Sequence, residues 1–448
     1  MSFESFIAVN RFGFGLAPGD NPAGSDPRGW LERQLNEGRN APVPTYNLPD
    51  ASNIVHQSFA MVEQQKQDKG TDQGKQDHKE FHDLIVGGLG ARFAANLTGL
   101  PLVERMTLFW SNHFTVSMKS KPVIGALALS MERDAIRPHV LGKFEDMLNA
   151  VATHPAMLLY LDNSTSVGPN SQAGQRRAVG LNENYARELM ELHTLGVRGG
   201  YTQTDVTTMA KILTGWTLDK PRNGGSGEFT FNNRMHEPGV QTVMGRVYDE
   251  GGIAQGRAAL YDLAHHPSTA KFIATKLVRH FVADDPPDQD VDRIAWVFRQ
   301  SGGDLQAVTL AVIGLDAVWK DPLPKVKTPY EMLLSAVRAT GVSPDKVPFD
   351  KLYPALKLMD NVPFTASSPA GWSDKADDWI SPEALMNRVE LCHMIAKRLT
   401  PQGQSPANIA QALIGPVASA DTLTAVSRAP SPADGFALVL ASPEFQRR

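Results

Sequence analysis

Apolar residues recur at about every third to fourth position along most of the chain, the period of an amphipathic helix. Leu102, Met106, Phe109, Trp110 and His113 fall on one stripe, and Val206, Met209, Ala210 and Leu213 on another. The same period predicts helices over 26–36, 78–97, 141–152, 254–264, 268–282, 291–301, 304–313, 329–340 and 382–399. Alternation of period two is confined to Glu228–Phe231 and Val240–Met244, which flank the turn-rich Asn232–Gly239 and predict one small β-hairpin near 228–244. The expected fold is mainly α, a single large helical domain over residues 1–448. Breaks at 284–288 and 342–347 set off a C-terminal helical subdomain from about residue 320.

Two polar stretches interrupt this pattern. Residues 64–79 are nearly devoid of apolar side chains and read as a polar surface insertion. Residues 163–180 form a long loop that runs straight into the densest polar run of the chain, the position of a lid beside a site. That run, Asn182–Gly196, holds three carboxylates, an arginine and a histidine. Asn182 is a suitable N-cap and Gly196 a suitable left-handed C-cap. At about 100° per residue, Tyr185, Ala186, Leu189, Met190, Leu192, Leu195 and Val197 share an apolar arc that also contains Glu188 and His193. Glu183, Arg187 and Glu191 lie opposite at i, i+4, i+8, the spacing of a solvated salt-bridge ladder. A buried ionisable group must be paired or shifted in pKa, so Glu188 is the acid/base candidate, with Arg187 and Asn184 placed to bind substrate.

Three further groups bear on chemistry. His113 ends an apolar stripe, where a histidine is either a satisfied core group or an acid/base partner. His236-Glu237-Pro238-Gly239 forms a turn between the strand segments and offers a second histidine. Trp372 and Trp379 occupy a loop before the helix capped by Ser381-Pro382, with Arg388 on that helix; indoles there either stack on sugar rings or pack on the domain. Arg279 and His280 read most simply as decoration of a packed helix. Glu188 and Glu191, at i, i+3, have the spacing to share a divalent metal with His236 as a further ligand, and the cofactor question otherwise stays open.

Composition narrows the partners. Lys plus Arg number 44 against 48 Asp plus Glu, a net charge of −4, which gives no global attraction to nucleic acid. The single cysteine, Cys392, excludes an internal disulfide and a cysteine-cluster metal site. No basic leader with an apolar core begins the chain, and no stretch approaches the roughly 18 apolar residues of a membrane span, so the expectation is a cytoplasmic protein without membrane insertion. A P-loop, a Gly-x-Ser-x-Gly elbow and a Rossmann fingerprint are all missing.

Taken together, Asn10-Arg11-Phe12-Gly13-Phe14-Gly15, Trp110-Ser111-Asn112-His113-Phe114, the run from Asn182 to Gly196, Leu213-Thr214-Gly215-Trp216 and Gly371-Trp372 resemble the bacterial DUF1800 family of unknown function. The resemblance implies a mainly helical fold. Since members are often encoded beside sulfatase-like proteins bearing export signals, it also implies a partner of that kind and export in its company. It directs attention to His113, Asn182, Glu183, Asn184, Arg187, Glu188, His193, Trp216 and His236. One departure stands out, because relatives tend to carry His-Asp with a following lysine where this chain has His236-Glu237 and Gln241. Two functions are therefore expected. The first is a hydrolase of a carbohydrate or carbohydrate-derived substrate, with Glu188, His113 and His236 catalytic and Arg187, Asn184, Trp216, Trp372 and Arg388 binding substrate. The second is a non-catalytic escort of an exported sulfatase-like protein.

Overall fold

A computed structural model describes residues 1–67, 72–121, 123–176, 180–401 and 403–448. Among the described residues, 22 α-helices and two two-stranded antiparallel sheets make up the regular structure, so the fold is mainly α. Every helix expected from the apolar period is present, among them Pro27–Gly38, Pro101–His113, Pro267–Phe281, Pro329–Ala339 and Pro382–Leu399. Their starts follow from local chemistry. Asp26, Thr328 and Ser381 each accept a hydrogen bond from the first helical turn, with a proline at the first helical position. The polar stretch 64–79 falls partly outside the described residues; its flanks are the ends of helices Ala51–Gln67 and Asp72–Thr98.

The two strand segments exist but do not pair with each other. Phe229–Phe231 pairs with Trp216–Leu218, and Gln241–Val243 pairs with Arg246–Tyr248. The expected single hairpin is thus replaced by two separate ribbons. The reason is that Gly215 (φ 82°) and Gly245 (φ 79°) take the left-handed conformations that start one ribbon and turn the other.

One continuous apolar core extends from Ile7 to Phe445. The Pro101–His113 helix runs through it, and 10 of its 13 residues are buried, including Glu104 and Arg105. Burial on that scale is only tolerable for charges that are paired. Arg137 accordingly forks onto Glu104 at 2.8 and 2.6 Å, while Arg105 donates to the Gly13 carbonyl and to Glu331. The chain's last residues add to this layer. Lys325–Lys327 and Gln446–Arg448 exchange backbone hydrogen bonds of 2.9–3.1 Å, which brings the Arg448 guanidinium to Glu331.

Candidate functional site

The helix around Glu188 differs from an ideal α-helix in a way that redistributes its side chains. The α-helical part covers only Asn184–Glu188, after which Leu189–Thr194 is a π-helix. Angular positions computed at 100° per residue therefore fail beyond Leu189. Asn182 is not the N-cap; Glu183 is, and the Asn182 side chain instead accepts from the Asn184 amide at 2.9 Å. Gly196 is left-handed, as its position at the helix end requires. The ladder is half formed. Arg187 meets Glu183 at 3.4 Å, whereas Glu191 turns to the Tyr201 hydroxyl. Glu183 also accepts from Gln203 and Thr207, so it is anchored to the next helix.

Glu188 and His193 occupy different environments. Glu188 is half-buried, and burial, with Glu191 nearby, raises its carboxyl above the ordinary range against the pull of Arg187. His193 is buried, and burial together with Lys276 lowers it to about 3, so it is neutral. His113 lies beside it. Its Nε2–H donates to the His193 carbonyl at 3.1 Å, while its Nδ1 accepts from Lys276 Nζ at 3.1 Å. Phe109, Trp110, Phe114, Phe144 and Phe272 surround the His113 ring, which burial first and Lys276 second keep neutral.

The remaining sequence candidates fall into two separate places. His236 is buried with its Nδ1–H on the Thr214 carbonyl at 2.9 Å, and its neighbour Glu237 accepts from the Asn170 amide and side chain at 2.8 and 2.6 Å. This turn therefore anchors the 163–180 loop, of which residues 177–179 lie outside the described set. Trp216 is fully buried against Phe229 and Gly256, a core position with no face left for a ligand. Among the described residues no hydrogen bond, ion pair or ring contact joins His236 to Glu188 or His113. Nor, among the described residues, do three or more His, Cys, Asp or Glu side chains gather to hold a metal, so Glu188, Glu191 and His236 are not brought together as one ligand set. Asn184 is exposed.

Trp372 and Arg388, by contrast, line one cavity of about 310 Å³ together with Trp379, Asp360, Asp378 and Ser367. Trp372 and Ser373 form its common wall with a second pocket of about 90 Å³, several times the space of one water, bounded by Arg92, Ser111, Asn112, His280, Tyr330 and Asp374 among others. Two sequence motifs meet here. Asn112 clamps the Trp372 backbone, donating from Nδ2 to its carbonyl at 2.8 Å and accepting from its amide at 2.7 Å. Gly371 makes the approach feasible, because its φ is 79° and a Cβ at this position would collide with the Asn112 carbonyl.

The chemistry of this second pocket rests on a pair that periodicity hides. His280 Nδ1 lies 2.7 Å from Asp374 Oδ1, with side chains only 8% and 16% exposed. Burial lowers the imidazole, and Asp374 opposes this only in part, so His280 is neutral with its proton on Nδ1 and a lone pair on Nε2. Burial pushes the Asp374 carboxyl up. His280, Lys325 and Arg448 outweigh it and hold the group at about 2. That direction survives a neutral imidazole, since the Nδ1–H still donates to the carboxylate. His280 Nε2 is buried without a partner.

Opposite stands Arg92, forked onto Glu132 at 2.9 and 2.7 Å and set against the rings of Tyr330 and Phe364. Its Nη1 is likewise buried without a partner. Glu132 sits on a second π-helical turn, Glu132–Ile136, and also accepts from Ser111 at 2.6 Å. Burial alone would raise its carboxyl; Arg92 and Arg137 hold it at about 2. Asp374, Arg92 and Glu132 carry no signal in the apolar period, and His280, expected only to decorate a packed helix, is part of this cluster instead. The usable signal was charge interrupting an apolar helix, Arg92 in the 78–97 stretch and Glu104-Arg105 in the next.

Comparison with known families yields a match. A family described as protein of unknown function (DUF1800) covers residues 7–447, nearly the whole chain. No curated protein and no solved structure matches it.

Proposed function

The chain belongs to the DUF1800 family, and we propose that it is a hydrolase of a carbohydrate or carbohydrate-derived substrate, with its reaction centre at the His280–Asp374 pocket. The supporting observation is the carboxylate-held imidazole of His280, a residue of the pocket wall 2.7 Å from Asp374, whose second nitrogen is buried and has no hydrogen-bond partner. That is the arrangement of a general base, with Asp374 fixing the tautomer and stabilising the imidazolium formed when Nε2 takes a proton from water. Trp372 supplies an apolar face for a ring substrate, and the 310 Å³ cavity beyond it has room for the part of the substrate that does not react. His113, bonded to Lys276 and to the His193 carbonyl, ties the helix that carries Asn112 to the helix that carries His280.

The reading is tested on a panel of 4-nitrophenyl glycosides and acylated sugars. The purified protein turns over at least one of them, and Asp374→Asn slows that turnover by about 10²–10⁴, since an amide in place of the carboxylate favours the wrong tautomer. Unchanged turnover by folded Asp374→Asn contradicts the assignment. A second reading, binding of a sulfatase-like partner, is favoured by the exposed apolar side chains Leu385, Met386 and Val389 on the Pro382–Leu399 helix. Met386→Glu then abolishes co-purification of that partner while leaving hydrolysis intact; retained co-purification removes this reading.

A further inference from the structure

The carboxylates of the pocket constrain which bond a hydrolase here can break. Glycoside cleavage uses two carboxyl groups, one of them protonated to deliver a proton to the leaving oxygen. Only Glu331 and Asp374 line the 90 Å³ pocket as carboxylates. Glu331 is covered by Arg105, Arg448 and the Thr328 amide, and these overcome the effect of burial to keep it ionised. Asp374 is kept ionised as described above. Neither is available as an acid, and the further carboxylates Asp360 and Asp378 line the 310 Å³ cavity and not this pocket. Two residues of the lining each carry a buried polar atom without a hydrogen-bond partner, His280 the acceptor Nε2 and Arg92 the donor Nη1. Buried groups without partners carry a desolvation penalty, which a ligand carrying both an acceptor oxygen and a proton to give would relieve.

Resting on the hydrolase reading, we infer that the scissile bond is a carboxylic ester of a sugar hydroxyl, with Arg92 Nη1–H as the donor to the developing oxyanion and His280 as the base. A small acyl group occupies the 90 Å³ pocket, and the sugar lies past Trp372 in the 310 Å³ cavity. His280 Nε2 takes a proton from water as the water oxygen bonds to the carbonyl carbon, whose oxygen becomes anionic and accepts from Arg92. Collapse re-forms the carbonyl and breaks the bond to the sugar oxygen, which receives the proton held by His280. The products are a free sugar hydroxyl and a carboxylic acid that ionises into solvent. Arg92 is preorganised for this, because Glu132 and the two flanking rings fix its plane.

The test compares β-D-glucose pentaacetate and 4-nitrophenyl acetate with 4-nitrophenyl glycosides. Acetate is released from the first two at rates that fall about 10²–10³-fold in kcat for Arg92→Lys, which keeps a cation beside Glu132 but lacks the Nη1 donor, with KM little changed. Should that variant fail to fold, Trp372→Ala serves in its place, raising KM for glucose pentaacetate but not for the smaller 4-nitrophenyl acetate. Full kcat in folded Arg92→Lys overturns the oxyanion role, and equal KM changes for both esters in Trp372→Ala overturn the seating of the sugar. Cleavage of glycosides without cleavage of esters overturns the inference while leaving the hydrolase reading intact. No cleavage of either class overturns both.

Discussion

The 184–194 helix and the His280 pocket both concentrate ionisable side chains, and they differ in how those groups are assembled and satisfied. In the helix, Glu183, Arg187, Glu188 and Glu191 come from one short stretch of chain and are at most half-buried, bonding to Gln203, Thr207 and Tyr201 at the surface. In the pocket and the layer of charge directly behind it, Arg92, Glu132, His280, Glu331 and Asp374 come from five separate segments, and the first four are buried outright. Crowding along the sequence produced a solvated surface network. Convergence in space produced an imidazole and a guanidinium, each with one nitrogen left without a partner. Density of charge in a sequence is thus a weaker sign of chemistry than charge set where the apolar pattern should leave none.

The contrast is broken most severely by removing a charge from the buried side. Glu132→Gln leaves Arg92 and Arg137 without a full counter-charge in the core, and a loss of about 3–5 kcal/mol is expected in urea unfolding. A loss below about 1 kcal/mol means the network is more hydrated than its burial indicates. Gly371→Ala comes next. It forces a left-handed residue with a Cβ against the Asn112 carbonyl, at about 1–3 kcal/mol by thermal unfolding, and it displaces Trp372 from between the two cavities. A variant as stable as the parent contradicts the clamp.

How much of this was readable beforehand divides along the same line. Helices such as Pro329–Ala339 and Pro382–Leu399 were legible because their caps and apolar period are local. The strand partners were not, since alternation marks a strand without marking its neighbour. Trp372 and Arg388 were recognised as a neighbourhood because they flank one loop. The His280–Asp374 pair joins residues 94 positions apart, and on the Pro267–Phe281 helix His280 follows the buried period like any core residue. The π-helical turns at Glu132 and Leu189 were invisible because nothing in local propensity marks them, and the second misdirected the helical wheel.

Acid sharpens the comparison at a smaller scale. In the folded chain His193 is lowered to about 3 and His154 to about 4 by burial, from an ordinary 6.5. Because the unfolded chain takes up these protons first, the stability they represent is complete above pH 6.5 and declines as pH falls toward 4, by at most about 1.4 kcal/mol per pH unit per group. Below that, protonation of the low-lying carboxylates Glu132 and Asp374 removes more. A melting temperature that is constant from pH 7 to pH 5 contradicts buried neutral histidines. Smallest of all is Glu183→Gln. Its partner Arg187 is 40% exposed, and a change within about 0.5 kcal/mol is expected in the same unfolding measurement.

The decisive measurement sets the two regions against each other directly. kcat/KM for acetate release from β-D-glucose pentaacetate is determined for folded His280→Asn and Glu188→Gln beside the parent. With the reaction centred on the pocket, His280→Asn falls by at least about 10²-fold and Glu188→Gln stays within about threefold. A collapse in Glu188→Gln with His280→Asn unaffected places the chemistry on the 184–194 helix and contradicts the assignment to the pocket.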